Sequence, residues 1–283
     1  MKKVYVFPNK KKDIGLKYTY EVVHFLREQG VMVYGDADWM DEVEGVCLLQ
    51  PEDKASMDLA VTLGGDGTIL MAAHFLLQTG VPILGINLGT LGYMAEVEPE
   101  AIGQALRKIM SGQYRVEKRM VLEGVLTNQE TGHQHKVHAV NDFSLHRSDM
   151  AGVLEICTYI DDIKVETFRA DGVIVCTPNG STAYNFSAGG PLVSPKARNI
   201  VLTPLCNHSI LDRSIVLTGE DKLTLEVERR EDDCHPLLNV DGVEKIRLEG
   251  AMRFDVQASE LTFPLIRVSD MNFFEVLRTK MNG

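Results

Sequence analysis

Two textures of hydrophobic patterning divide this chain. Up to about residue 118, short apolar runs alternate with stretches spaced for helices. Val4 to Phe7 is apolar and bounded by Pro8, while Tyr18, Val22, Phe25 and Leu26 recur at helical spacing before Gly30. Val31 to Tyr34, Met57 to Leu63 and Val81 to Ile86 read as further strands. Ile102, Ala105, Leu106, Ile109 and Met110 mark one face of a helix that starts after Pro99. Strands separated by helices predict an α/β domain with a parallel, Rossmann-like sheet and right-handed crossovers. From about 119 to 260 short strands alternate: Val121 to Leu126, Val137 to Leu145, Val153 to Ile160, Val173 to Cys176, Ser214 to Thr218, Leu223 to Val227 and Met252 to Val256. One short helix, Ser181 to Ala188, interrupts a domain that otherwise reads as β-rich and sandwich-like. A tail, 261–283, carries Phe274, Leu277 and Met281 at helical spacing.

Candidate chemistry sits where these textures contain glycine. Gly64-Gly65-Asp66-Gly67-Thr68 follows the Met57 to Leu63 strand and precedes the apolar helical stretch Ile69 to Leu77. Glycines admit close approach of a ligand to the backbone, and a helix start offers N–H groups and partial positive charge to phosphate. A carboxylate inside such a loop would repel phosphate, so Asp66 points to the acceptor side of a phosphoryl transfer. The plainer alternative is a β-turn with Asp as a local cap. A second segment, Arg169 to Pro195, contains a buried-type strand, the turn Thr177-Pro178-Asn179-Gly180, and a helix start lined with Ser181, Thr182, Tyr184 and Ser187. It suits a base or sugar, or else a capped helix with a core tyrosine.

Composition narrows the classes. At 283 residues, two domains are expected; a net charge of −11 with no basic stripe argues against nucleic acid. Arg169 is a candidate to offset an anionic substrate. Five cysteines without a Cys-x-x-Cys pair, most of them in apolar runs, predict buried free thiols and a cytoplasmic location. No apolar run approaches a bilayer span and no signal peptide is read, so no membrane partner is expected. Neither a P-loop nor a Gly-x-Gly-x-x-Gly fingerprint occurs, and no metal-ligating set is read from the sequence.

The ordered motifs resemble those of the NAD kinases. The resemblance rests on Gly64 to Thr68, Asn141-Asp142, Arg169-Ala-Asp171-Gly172, Thr177 to Tyr184, Gly189-Gly-Pro-Leu, Thr203 to Ser209 and Asp241-Gly242, in that family's order. Asp142 stands where the family often has Glu, Asn179 where it has Thr or Ser, Asn207 where it often has Pro, and Val243 where Gln is common. The resemblance implies a diacylglycerol-kinase-like first domain (1–118), a β-rich NAD-binding domain (119–260) and a C-terminal segment (261–283) returning to the first. It implies transfer of the γ-phosphoryl group of ATP to the 2′-hydroxyl of the adenosine ribose of NAD, with Asp66 as general base. Gly64, Gly65, Gly67 and Thr68 would hold phosphate oxygens through backbone N–H groups. Asn141 and Asp142 are implied at the ribose hydroxyls, Thr182, Ala183 and Ser187 at adenine with Tyr184 stacking, and Arg169 and Asp171 near nicotinamide. Asn179, Asn185 and Phe186 are counted with the same binding segment. Mg²⁺ or another divalent cation would arrive on ATP, polyphosphate could replace ATP, and a homodimer or homotetramer would share the substrate site. Two rivals carry different features: a lipid kinase would replace the polar sets by an apolar pocket, and a non-catalytic dinucleotide sensor would not need Asp66.

Overall fold

A computed structural model describes residues 1–148, 152–208, 212–227 and 236–282. Cys234 and Ser209 lie outside the described residues. The chain forms two compact units, one of Met1–Lys118 with Leu261–Gly283 and one of Arg119–Glu260.

In the first unit, β1 (Lys3–Pro8), α1 (Lys17–Glu28), β2 (Met32–Gly35), β3 (Val46–Leu48), β4 (Leu59–Gly64), α2 (Asp66–Leu76), β5 (Ile83–Asn87) and α3 (Ile102–Met110) follow in order. The strands are parallel, in the order β3-β2-β1-β4-β5. Every residue of β4 and β5 is buried, as expected of strands covered on both faces. Ile102, Ala105, Leu106 and Ile109 of α3 join Val4, Val6, Val61, Leu84 and Ile86 in one core. Burying each Leu or Ile contributes roughly 1.5–3 kcal/mol.

The second unit is antiparallel. Its elements are the later part of β6 (Arg115–Asn128), β7 (Gln134–Ala139), β8 (Asp142–Arg147), β9 (Leu154–Ile160), β10 (Ile163–Ala170), β11 (Gly172–Cys176), α4 (Tyr184–Ser187), β12 (Asn199–Leu205), β13 (Ile215–Thr218), β14 (Leu223–Val227), β15 (Pro236–Val240), β16 (Glu244–Arg247) and the start of β17 (Met252–Arg267). One sheet runs β13-β12-β11-β8-β15-β16, and another joins β10-β9-β14-β17. Ile156 and Phe168 from one sheet and Val173, Val175 and Leu238 from the other share a single core, which makes the unit sandwich-like. Phe143 and Phe254 meet edge to face at 5.1 Å. The last residues of β17 pair in parallel with β5, Leu265 opposite Ile83, and α5 (Phe273–Asn282) follows.

Several expectations need correction. Helix α2 begins at Asp66, not Ile69, so Asp66, Gly67 and Thr68 form its first turn. The expected strand Val137 to Leu145 is two strands broken at Val140-Asn141, because the N–H groups of Val140, Asn141 and Asp142 all turn onto the Asp241 carboxylate (2.7, 2.8 and 2.7 Å). The expected helix Ser181 to Ala188 splits into a 3-10 turn, Gly180–Thr182, and the single turn α4. Ser181 does not cap it; its hydroxyl donates inward to the Pro178 carbonyl. Of the four described cysteines, all free, only Cys176 is buried, while Cys47 and Cys206 are exposed.

Candidate functional site

Within the first unit the glycine loop joins β4 to α2. A Cβ on Gly64 would lie 2.1 Å from Thr68 Oγ1, so glycine is required there for packing. Gly65 N–H donates to Thr68 Oγ1 and Thr68 N–H donates to the Gly65 carbonyl, so the turn itself uses both amides. Thr68 is buried and also accepts from Asn9 Nδ2 at 3.3 Å. Of the four expected amides, those of Gly65 and Thr68 are used by the turn, whereas the Gly67 N–H lies in the first helical turn, which leaves it and the neighbouring Asp66 N–H open. Gly67 is exposed, with free space where a side chain would be.

Asp66 is half-buried and held rigidly. Oδ1 accepts from the N–H groups of Met94 (3.1 Å) and Ala95 (3.0 Å), and Oδ2 from Tyr93 (2.8 Å). A carboxylate has about four lone-pair positions, so Oδ2 retains one for an incoming hydroxyl. A Cβ on Gly92 would meet Oδ1 at 2.1 Å, which fixes glycine at that position. The opposite edge of the same loop rests on Arg267, buried, which donates to the carbonyls of Tyr93 (3.0 Å) and Met94 (3.0 Å) and contacts Glu96 and Glu117. Burial, then the charge of Asp66, pushes the Tyr93 phenol above its ordinary value.

Within the second unit, Asn141, Asp142 and Asn179 come together. Asn179 Nδ2 donates to Asn141 Oδ1 at 2.7 Å, and Arg119 donates to Asn179 Oδ1 at 3.4 Å. Thr177 ties the turn to this edge: its hydroxyl donates to the Val140 carbonyl and its N–H to the Asn141 carbonyl. A Cβ on Gly180 would lie 2.2 Å from that Asn141 oxygen. Asp142 is buried, and desolvation followed by the charge of Asp241 raises its carboxyl to about 7. The Tyr184 phenol, half exposed, is also raised by burial and then by Asp142, Cys206 and Asp171.

The remaining expected residues separate by environment. Thr182 and Ala183 are half-buried, with the Thr182 hydroxyl on the Asn179 carbonyl, and Phe186 and Ser187 are exposed. Asn185 is corrected as a ligand side chain. It is fully buried, donates to the Ser181 and Pro191 carbonyls and accepts from Thr203 Oγ1, and is therefore a strut beneath the turn. Asp171 pairs with Arg147 at 3.0 Å, and Arg169 with Glu155 at 3.3 Å.

The profile for the ATP-NAD kinase N-terminal domain matches residues 4–114, and that for the ATP-NAD kinase C-terminal domain matches 140–268. The chain belongs to the ATP-NAD kinase family. It is similar to the NAD kinase of Lachnoclostridium phytofermentans, 38% identical over 288 residues and 99% of each chain. It also resembles that of Caldanaerobacter subterraneus, 35% identical with the same coverage. Yeast NADH kinase complexed with NADH superposes with a TM-score of 0.91 at 25% identity, covering 100% of this chain and 88% of that one. An Archaeoglobus fulgidus NAD kinase in complex with ATP gives 0.76 at 25% identity, covering 100% and 99%.

Sequence reasoning missed Asp241 as the organiser of the Asn141 edge, and Asn87, Tyr93 and Arg267 around the glycine loop. A signal for Asn87 and Tyr93 was present: Gly85-Ile-Asn87-Leu-Gly89-Thr-Leu-Gly92 is a second glycine-rich stretch, running out of the end of β5 and leading to Tyr93.

Proposed function

We propose that the chain transfers the γ-phosphoryl group of ATP to the 2′-hydroxyl of the adenosine ribose of NAD, giving NADP and ADP. The 2′-oxygen forms the new bond to Pγ as the bond from Pγ to the β,γ-bridging oxygen breaks, and the hydroxyl proton passes to Asp66. Such transfers depend on positioning and charge more than on covalent help. The observation that carries this reading is Asp66 itself: a half-exposed carboxylate held by three backbone N–H groups at a helix start, with one Oδ2 lone pair left. A fixed base needs little reorganisation when the hydroxyl loses its proton. Asn141 and Asp142 bind the ribose hydroxyls in this reading. Thr182, Ala183, Tyr184 and Ser187 take adenine, and Arg169 and Asp171 the nicotinamide end.

A divalent cation such as Mg²⁺ arrives in this reading on the ATP phosphates, where it offsets their charge. The free thiols of the four described cysteines support a reducing, cytoplasmic setting. We further read the first unit as diacylglycerol-kinase-like, polyphosphate as an alternative donor, and the working state as a homodimer or homotetramer sharing its substrate site.

Incubation with Mg-ATP and NAD tests the reading. Phosphorus NMR should show a new 2′-phosphomonoester and a dehydrogenase specific for NADP should reduce the product. ATP hydrolysis without that ester, or phosphorylation of a lipid alcohol instead, would contradict it.

A further inference from the structure

The chain moves outward from β1 through β2 and β3 and returns on the other side of β1 with β4. Open parallel sheets take ligands at such a reversal, beyond the C-terminal ends of the strands. Two side chains meet there without a role in the transfer described above. Lys12, in the turn after β1, places Nζ 2.9 Å from where a Cβ on Gly65 would stand and 3.4 Å from that of Gly89. Its ammonium has no hydrogen bond or ion pair among the described residues. Asn87, ending β5, is 3% exposed, and its Oδ1 has no partner while Nδ2 donates to the Gly89 carbonyl at 2.9 Å. That Nδ2 bond fixes which way the amide faces, and Oδ1 stands 4.0 Å from the same Gly65 position. Lys12, Asn87 and Gly89 line one cavity of about 420 Å³ with Tyr18, Glu98 and Glu100.

The turn that presents Lys12 is built rigidly. Lys12 N–H donates to the Asn9 carbonyl, and the adjacent Asp13, buried, accepts from the N–H groups of Tyr18 (3.0 Å) and Thr19 (2.9 Å) at the start of α1. A buried acceptor left unpaired is costly, so Asn87 Oδ1 marks a donor that comes into place with a ligand. An ammonium carries three N–H donors. One reaching Oδ1 leaves two for anion oxygens over Gly65, beside the open amides of Asp66 and Gly67 at the positive end of α2. Glu98 and Glu100 are exposed on the same cavity and disfavour a naked anion. The fitting ligand is a polyphosphate whose charge is already partly offset, as in the magnesium salt of a nucleoside triphosphate.

We propose that Lys12, steadied by Asn87, is the cationic contact for the phosphate chain of the phosphoryl donor. This rests on the kinase reading above. The test uses the full chain and its Lys12→Gln and Lys12→Arg variants. Calorimetry measures binding of Mg²⁺ with β,γ-imido-ATP, and steady-state assays give KM for ATP and for NAD. Lys12→Gln should weaken nucleotide binding and raise KM for ATP by about tenfold to a hundredfold, the usual cost of a charge-assisted contact. Lys12→Arg should recover most of the loss, and KM for NAD should stay within about twofold, since a phosphate cation acts on one substrate alone. Unchanged nucleotide affinity in Lys12→Gln, with NADP still formed, overturns the proposal and leaves the kinase reading intact. Binding lost in Lys12→Gln by a protein that makes no NADP upholds the site and sinks the kinase reading.

Discussion

Asp142 sits where a carboxyl carries either charge state near neutral pH. Burial first, and the charge of Asp241 second, raise it from 3.8 to about 7. Between those values the folded chain holds the proton more tightly than the unfolded chain. The resulting stability is full below about pH 4 and is lost as pH rises through 7. Denaturant titration should therefore give a fall of about 2 kcal/mol between pH 5.5 and 8 from this residue, and Asp142→Asn should abolish that part of the fall. A variant with the wild-type pH dependence would show that Asp142 titrates elsewhere. At this scale the residue types were legible because chemistry restricts them: a carboxylate amid glycines, an Asn-Asp pair, a tyrosine in a hydroxyl-rich turn. Their commitments were not. Asn185 reads from the sequence as one more polar group of the binding turn, yet its amide is spent on Ser181, Pro191 and Thr203, partners 4, 6 and 18 residues away.

Elements hold the candidate groups through bonds that no local pattern announces. The Tyr93 to Ala95 loop is fixed from one side by Asp66 and from the other by Arg267, a residue 173 positions from Met94. Arg267→Met leaves Glu96 without its cation, while Glu117 keeps Arg115 at 3.6 Å, and should cost about 3–5 kcal/mol of stability, the usual penalty for breaking a partly buried network. It should also lower kcat more than it changes KM for NAD, because the loop positions Asp66; a stability loss with kcat intact would confine Arg267 to a structural role. Gly180→Ala makes a parallel case in the second unit. Its Cβ would press on the Asn141 carbonyl at 2.2 Å, so affinity for NAD should drop about tenfold or more by calorimetry while ATP binding stays unchanged. Alternation located most strands, since period-two burial survives in β6, β9 and β17. It failed at Val140-Asn141, where apolar positions on both sides read as one strand across a break imposed by Asp241, 99 to 101 residues away.

For the whole molecule, the change of texture near residue 118 was readable because parallel strands need helical crossovers and antiparallel strands do not. Strand order was not readable: nothing local places β4 beside β1 rather than β3, and that order creates the switch point over Lys12. Assembly belongs to this scale as well. Light scattering on the purified chain should give two or four times the chain mass, and a monomer active at nanomolar concentration would remove the shared-site expectation. The most direct test of the account replaces Asp66 by Asn and measures NADP formation and NAD binding side by side. The account predicts that turnover falls by about two to four orders of magnitude, the range expected for losing a general base, while the Kd for NAD shifts by less than about threefold. Turnover near wild type in Asp66→Asn would contradict it.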